Sequence, residues 1–222
     1  MAFKIRPYKD LPAMDLGWLT LKDHFIATVG PHSGRGTSLK NLLVIADAKI
    51  EAKSSFPKHP HKDMEILTWV VDGILHHQDD KESDQQVPTE SLQLMSARDG
   101  IFHAEGNLSN GPLRILQIWI QPNAVGGTAV VSQAGLLAKG FNLMAAPENA
   151  PLIIRQDLWL YVALINGEES IEIPEGRFAY AVFIGHLKLN EMQLMDGDGA
   201  ELSSGKYSIR GSGQAIVIQQ NT

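Results

Sequence analysis

The sequence predicts an all-β fold in which two β-sandwich or barrel domains are joined by a connector. Short apolar segments recur along the chain, and turn-forming residues separate them at short intervals, as is typical of sandwiches and barrels. Residues 123–150 differ, since they are rich in Gly, Ala, Asn and Pro and do not alternate between apolar and polar side chains. We therefore predict one domain at residues 1–134 and a second at residues 135–222.

The first domain opens with apolar segments at Leu16–Leu21 and His24–Val29, which we predict to be edge strands or a leading hairpin. Pro31–Ser38 is predicted to be a loop, and its glycines lack the Gly-Lys-Ser/Thr ending of a phosphate-binding loop. Leu42–Ala48 is a mostly apolar strand. Met64–Val71 is apolar on both faces, which indicates a strand buried between two layers.

A glycine at Gly73 allows a turn into the next predicted strand, Ile74–Gln78. A charged, exposed loop at Asp79–Gln86 and a tight turn at Val87–Glu90 are predicted to follow it. The remaining strands predicted for this domain are Ser91–Ser96, Ile101–Glu105 and Leu113–Ile120.

Within the connector, Leu136–Lys139 is predicted to form a short helical turn. Turns are predicted in the second domain at Asn166-Gly167, Asp196–Gly199 and Ser204-Gly205. Its predicted strands are Leu152–Arg155, Trp159–Leu164, Ser170–Ile173, Phe178–Gly185, Gly205–Arg210 and Ala215–Ile218.

Composition excludes several functions. The net charge is -6 and no run of Lys or Arg occurs, so we predict no nucleic-acid partner. Cysteine is absent, which removes disulfides, thiolate metal sites and cysteine nucleophiles, and any metal must be held by His and carboxylate. No segment approaches the about 18 apolar residues of a membrane span, and the amino terminus has no apolar leader, so a cytoplasmic protein is expected.

Two pairs of potential metal ligands stand out, His59-Pro60-His61 and His103-Ala104-Glu105. Alternate side chains of a strand point to one side, so two such pairs on neighbouring strands could converge on one ion. If the strand after His61 is regular, Glu65 shares the parity of the two histidines, which leaves the carboxylate open between Glu105 and Glu65. Three imidazoles and a carboxylate suit Fe(II), Mn(II), Ni(II), Cu(II) or Zn(II) better than calcium.

The other histidines are weaker candidates. His76 and His77 are adjacent, so on a strand they face opposite ways, and one is expected to face solvent. His24, His32 and His186 are isolated, and the second domain contains only His186. The alternative at this point is an all-β protein whose histidines bind nothing.

Two longer segments resemble known motifs. His59–Gly73 resembles the first cupin motif, in the form found in the pirin family, which includes bacterial pirin-like quercetin 2,3-dioxygenases. Leu94–Glu105 resembles the second motif of that family. Asp15–Trp18, Leu116–Ile120 and Gly197–Ala200 match it in character and order, so the resemblance covers nearly the whole chain.

The resemblance implies a bicupin, that is, two jelly-roll β-sandwich barrels with metal only in the amino-terminal one. The implied ligands are His59, His61, His103 and Glu105, whereas many other cupins take the carboxylate from the first motif, which here is Glu65. Iron is the metal most often implied, so Fe(II) is expected, with Ni, Mn, Cu or Zn as alternatives.

The function implied is that of a metal-dependent dioxygenase that opens a flavonol such as quercetin with O2 and releases carbon monoxide. Glu105 would act as general base, and Trp69 and Trp119, ahead of Phe102, would line an apolar mouth. Eukaryotic pirin is regarded as a transcriptional cofactor, so the alternative is a non-enzymatic, metal-binding regulatory protein with a protein partner. A monomer is expected.

The chain departs from the family pattern at two places. Pro88-Thr89-Glu90 replaces the usual Pro-Gly-Asp turn, so the positive-φ position that glycine would serve must be accommodated differently. The loop Asp79–Gln86 lacks the glycine-containing turn of relatives. Neither change is expected to touch a ligand, but both bear on loop shape and substrate access.

Overall fold

The computed structural model describes residues 2–26 and 37–222, which form an all-β protein, as predicted. The predicted loop Pro31–Ser38 and the end of the strand His24–Val29 lie largely outside this part of the chain. No helix within it is long and apolar enough to span a membrane. The described residues form a 3-10 turn at Tyr8–Asp10 and the strands β1 (Phe3–Arg6), β2 (Ala13–Asp15), β3 (Leu19–Phe25), β4 (Leu42–Ile50), β5 (Ser54–Ser55), β6 (His59–His61), β7 (Glu65–Asp72), β8 (Ile74–Asp79), β9 (Asp84–Pro88), β10 (Ser91–Ser96), β11 (Ile101–Asn107), β12 (Leu113–Ile120), β13 (Val130–Gly135), β14 (Asn142–Ala146), β15 (Leu152–Ile153), β16 (Leu158–Ile173), β17 (Arg177–Leu189), β18 (Met192–Gln193), β19 (Gly199–Leu202) and β20 (Gly205–Asn221).

The first of two compact units comprises Pro12–Gly135 and Ile154–Gln156. It contains a seven-stranded sheet in the order β13-β10-β7-β12-β4-β3-β2 and a five-stranded sheet built on β5-β11-β8-β9, with β6 paired to β11. Leu75 and Val87 of the smaller sheet share one core with Val70 of the larger sheet. Since apolar side chains of both sheets fill one interior, this unit is a β-sandwich.

The central position of β7 explains its composition. It lies between β10 and β12 in the larger sheet, and every residue from Glu65 to Val71 is buried. A strand that is covered on both faces needs apolar side chains at consecutive positions rather than at alternate ones. The prediction of a buried strand at Met64–Val71 is therefore confirmed.

The second unit comprises Met1–Leu11, Leu136–Ile153 and Asp157–Thr222, and its strands form one eight-stranded sheet. Apolar residues from both halves of β16, including Ala163 and Ile173, belong to one core, so the sheet curls around its own interior. Gly167 of β16 is paired with Gly211 of β20, and both have positive φ (119° and 128°). The predicted turn at Asn166-Gly167 is wrong, because here glycine bends a continuous strand instead of ending it.

The amino-terminal strand β1 pairs with β19 and so belongs to the second unit, which the predicted boundaries 1–134 and 135–222 do not anticipate. Much of the predicted connector is strand, since β13 pairs with β10 and β14 pairs with β16. The helical turn predicted at Leu136–Lys139 is wrong. The Asn142 side chain accepts a hydrogen bond from the Ala138 amide and donates to the carbonyls of Ala138 and Gly140, and such side-chain bonds compete with a helix.

The two departures from the family pattern also have a structural account. In the Pro88-Thr89-Glu90 turn, Glu90 takes the positive φ (63°), while the amide and the hydroxyl of Thr89 both donate to the Gly73 carbonyl. The predicted loop Asp79–Gln86 is shorter than expected, because β8 extends to Asp79 and β9 begins at Asp84. The tight turn is therefore built without glycine at its centre.

Candidate metal centre

The strands β6 and β11 bring three histidines together. These strands are antiparallel neighbours, with His59 opposite His103 and His61 opposite Ile101. The ring centroids of His59, His61 and His103 lie 4.4–5.1 Å apart. Each ring offers one nitrogen within 4.8 Å of the nitrogens of the other two. The structure thus places the three predicted histidines around a common point.

Hydrogen bonds set the ring orientation of His59 and leave one ring nitrogen of His103 unpaired. His59 Nδ1 donates a hydrogen bond of 2.8 Å to the Pro57 carbonyl, so its Nε2 carries the lone pair. His103 is 1% exposed, and its buried Nε2 has no hydrogen-bond partner among the described residues. A buried polar atom without a partner is costly and calls for an explanation. A bound cation would satisfy it.

The charge state of the histidines also suits a metal. Burial, together with the neighbouring His59, lowers the pKa of His61 to about 4. Burial lowers the pKa of His103 still further, and the surrounding histidines add to the effect. Both rings are therefore neutral near pH 7, which is the form that binds metal ions.

Glu105 lies two residues after His103 on β11 and is 5% exposed. Burial raises the pKa of its carboxyl group, against the opposing effects of a hydrogen bond from Gln117 and of nearby His77 and His59. Glu105, His103 and His77 form a second group whose ligand atoms lie within 4.8 Å of one another. The structure therefore places Glu105 beside the same His103 that faces His59 and His61.

Glu65, the other predicted carboxylate, lies in a different environment. It is 1% exposed on β7, and its Oε1 accepts a hydrogen bond of 2.5 Å from Ser96 Oγ. It belongs to neither of the two groups found among the described residues. The shared parity of Glu65 with the two histidines was conditional on one regular strand, and the backbone does not form one here. Asp63 has positive φ (48°) and separates β6, in the smaller sheet, from β7, in the larger one.

His77 is a residue that the sequence reasoning passed over. His76 and His77 do face opposite ways, as predicted, and His77 is fully buried while His76 is half-buried. His77 Nδ1 lies 3.4 Å from His103 Nδ1, and His77 Nε2 lies 3.0 Å from Asp79 Oδ2. His77-Gln78-Asp79 is a third pair spaced i, i+2 on a predicted strand end, and this spacing is the signal that could have identified it.

The aromatic residues predicted to line the apolar mouth of the site differ in their contacts and exposure. Trp119 packs edge-to-face on His61, with ring centroids 5.0 Å apart, and Phe102 is 50% exposed. Trp69 is fully buried. Trp119 therefore contacts a predicted ligand.

The residues present fit a divalent transition metal. Neutral imidazoles and a carboxylate are the ligands that iron, nickel, manganese, copper and zinc accept in proteins. His59, His61, His103 and Glu105 could supply this set. The unpaired Nε2 of His103 is the observation that favours a cation over a purely structural cluster.

Comparisons with known protein families find a matching family model for each half of the chain. A family model described as Pirin matches residues 5–120, and one described as Quercetinase C-terminal cupin domain matches residues 143–219. A pirin-like protein of Caulobacter vibrioides is 40% identical over 209 residues, which cover 88% of each chain. A quercetin 2,3-dioxygenase of Escherichia coli K12 is 39% identical over 165 residues, which cover 71% of each chain.

Solved structures agree on the fold. The bacterial pirin YhhW of Escherichia coli, in complex with nickel(II), has a TM-score of 0.86 and 29% identity, and 99% of each chain is covered. A quercetin 2,3-dioxygenase of Acinetobacter baumannii has a TM-score of 0.75 over 99% of this chain and 79% of its own, with 15% identity, and supports the fold alone. The predicted bicupin of two β-sandwich domains is confirmed.

Proposed function

The chain belongs to the pirin family, and on that premise we propose that it is a metal-dependent dioxygenase that opens the ring of a flavonol such as quercetin with O2. The observation that carries the proposal is the buried Nε2 of His103, which has no hydrogen-bond partner among the described residues and belongs to a ring grouped with those of His59 and His61. The name of the Escherichia coli relative supports the reaction.

His59, His61, His103 and Glu105 are the proposed ligands. Fe(II) is the proposed ion, as the family resemblance implies. Ni(II) is the first alternative, because a pirin of similar structure was solved with nickel(II). Mn(II), Cu(II) and Zn(II) also accept this donor set.

When bound, the metal supplies a Lewis acid that favours the ionised form of a substrate hydroxyl. Glu105 would take the hydroxyl proton as general base, and in the metal-free protein burial raises the pKa of its carboxyl group. Gln117 donates to Oε1, so Oε2 is left to bind the metal and, once released from it, to accept the proton. Trp119 packs edge-to-face on His61 and so helps to fix the orientation of that ring.

Aerobic turnover of quercetin tests this function. The His61→Ala variant should lose turnover, because the centre loses one of its three imidazoles. The matched control is His186→Ala, which makes the same substitution at an exposed histidine of the second unit and should keep full activity. Equal turnover by the two variants would contradict the proposal.

The alternative function is that of a non-enzymatic, metal-binding regulatory protein, which the family resemblance also allows. Full metal occupancy without turnover of any of several flavonols would support this function over the dioxygenase.

A further inference from the structure

We propose that His77 and Asp79 are positioning residues that hold His103 in the single tautomer whose Nε2 carries a lone pair. The proposal rests on the proposed function only where it assigns Nε2 of His103 to the metal. The direction of the hydrogen bonds among Asp79, His77 and His103 does not depend on a metal. Three side chains form the relay, and they lie on two adjacent strands, since His103 pairs with Asp79 and Glu105 pairs with His77.

The relay begins at the Asp79 carboxylate. Its Oδ1 accepts hydrogen bonds from the amides of Lys81 (2.8 Å) and Ser83 (3.1 Å), which leaves Oδ2 for His77 Nε2 at 3.0 Å. With Oδ1 already accepting from two amides, the Asp79 carboxylate is placed to accept at Oδ2 as well, so the proposed relay has a hydrogen on His77 Nε2.

The second step fixes His103. The proposed relay has the hydrogen of His77 on Nε2 and its lone pair on Nδ1, which lies 3.4 Å from His103 Nδ1. Two lone pairs facing each other would repel, so His103 Nδ1 carries the hydrogen and donates it to His77. The His103 lone pair is then on Nε2, the buried nitrogen that has no partner among the described residues. A ligating histidine is commonly oriented by such a partner on its other nitrogen.

The relay also connects the turn between β8 and β9 to the candidate centre through hydrogen bonds. The Asp79 amide donates to the Ser83 carbonyl, and Asp80 and Phe102 exchange two hydrogen bonds of 3.0 and 3.1 Å. The turn is thereby fixed to β11 one residue before His103. Asp79, the first residue of the predicted loop Asp79–Gln86, is thus linked to the proposed ligand His103 through His77.

The first experiment records the tautomers in metal-free protein by long-range ¹H–¹⁵N correlation NMR of the imidazoles. The relay predicts a hydrogen on Nδ1 of His103 and on Nε2 of His77. A hydrogen on Nε2 of His103 in the wild-type protein would overturn the proposal, whatever the protein does with metal. This measurement needs no variant.

The second experiment measures Ni(II) affinity by calorimetry in variants shown to be folded by their amide spectra. Asp79→Ala and His77→Phe should lower affinity by about 10–100-fold and give a mixed His103 tautomer. His77→Asn, whose carbonyl can accept from His103 Nδ1, should recover much of the affinity. His76→Phe, the same substitution at the half-buried neighbour, should leave affinity and tautomer unchanged.

The outcomes separate the two proposals. The predicted tautomers in a wild-type protein that binds neither Fe(II) nor Ni(II) would refute the metal centre and leave the relay standing. Unchanged affinity in Asp79→Ala would overturn the relay. Loss of affinity in His77→Asn equal to that in His77→Phe would also overturn it, because His77 would then act as a ligand itself.

Discussion

Gln117 donates a hydrogen bond of 2.6 Å from Nε2 to Glu105 Oε1, while its own Oε1 accepts one of 3.0 Å from the indole nitrogen of Trp119. An indole nitrogen can only donate, so the amide has one consistent orientation and its donor must face Glu105. Glu105 therefore has one oxygen paired within the protein, and its other oxygen is available to a metal or a proton.

Replacing Gln117 by leucine should shift the pH dependence of turnover. The hydrogen bond from Gln117 lowers the pKa of Glu105, so its loss raises that pKa further. We expect the acid limb of kcat/KM for quercetin to move to higher pH. Gln133→Leu, at an exposed position of β13, is the control and should leave the profile in place.

The carboxylate ligand is tested by two matched substitutions, Glu105→Gln and Glu65→Gln. Both side chains are buried and both have a raised pKa, but only Glu105 lies in a group with His103. Glu105→Gln should weaken metal binding by at least about tenfold, and Glu65→Gln should leave it within about twofold. The reverse order in a calorimetric titration would assign the carboxylate to Glu65.

Acid should destabilise the metal-free protein through His103. Its folded-state pKa lies far below the ordinary value of 6.5, so the unfolded chain binds more protons below pH 6.5. The stability it contributes is full above pH 6.5 and is lost as the pH falls below that value. In urea titrations from pH 7.5 to 5, wild-type protein should lose more stability than His103→Gln. Buried Glu105 and Glu65 act in the opposite sense, but they are common to both proteins. Parallel pH curves would contradict this account.

The buried ion pair of Asp47 and Arg114 should matter to stability and not to metal binding. Two hydrogen bonds of 3.0 and 2.6 Å join them, and the Asp47 side chain is fully buried. Removing one partner of such a pair costs about 3–5 kcal/mol. Asp47→Asn should therefore lower the urea midpoint strongly, whereas Glu168→Gln, in an exposed pair with Arg210, should change it little. Similar shifts for the two variants would show that burial does not control the effect.

The pattern of apolar and polar residues predicted the all-β class and most strands of the first unit. In those strands side chains either alternate between apolar and polar, or are apolar at consecutive positions because both faces are buried. The same pattern misplaced the turn at Asn166-Gly167, since glycine permits both turns and bends within a strand, and only long-range pairing with β20 decides between them. Strand β1 joins the second unit through a pairing some two hundred residues away in the chain, which no local pattern encodes.

Some residues of the candidate site could likewise be predicted from the sequence, and others could not. The spacing of His59, His61, His103 and Glu105 marked residues that the fold brings close together. Parity alone could not separate Glu65 from Glu105, because one residue, Asp63, changes the direction of the backbone between two sheets. His77 was passed over because its partners come from β11, and that register follows from the tertiary structure.

Metal analysis of protein purified without a histidine tag tests the central claim most directly. If His59, His61, His103 and Glu105 bind a divalent ion, inductively coupled plasma mass spectrometry of the wild-type protein should find close to one equivalent of one transition metal. The His61→Ala variant should lose most of it, and His186→Ala should retain it. Less than about a tenth of an equivalent in the wild-type protein, after incubation with Fe(II) or Ni(II) and desalting, would contradict the account.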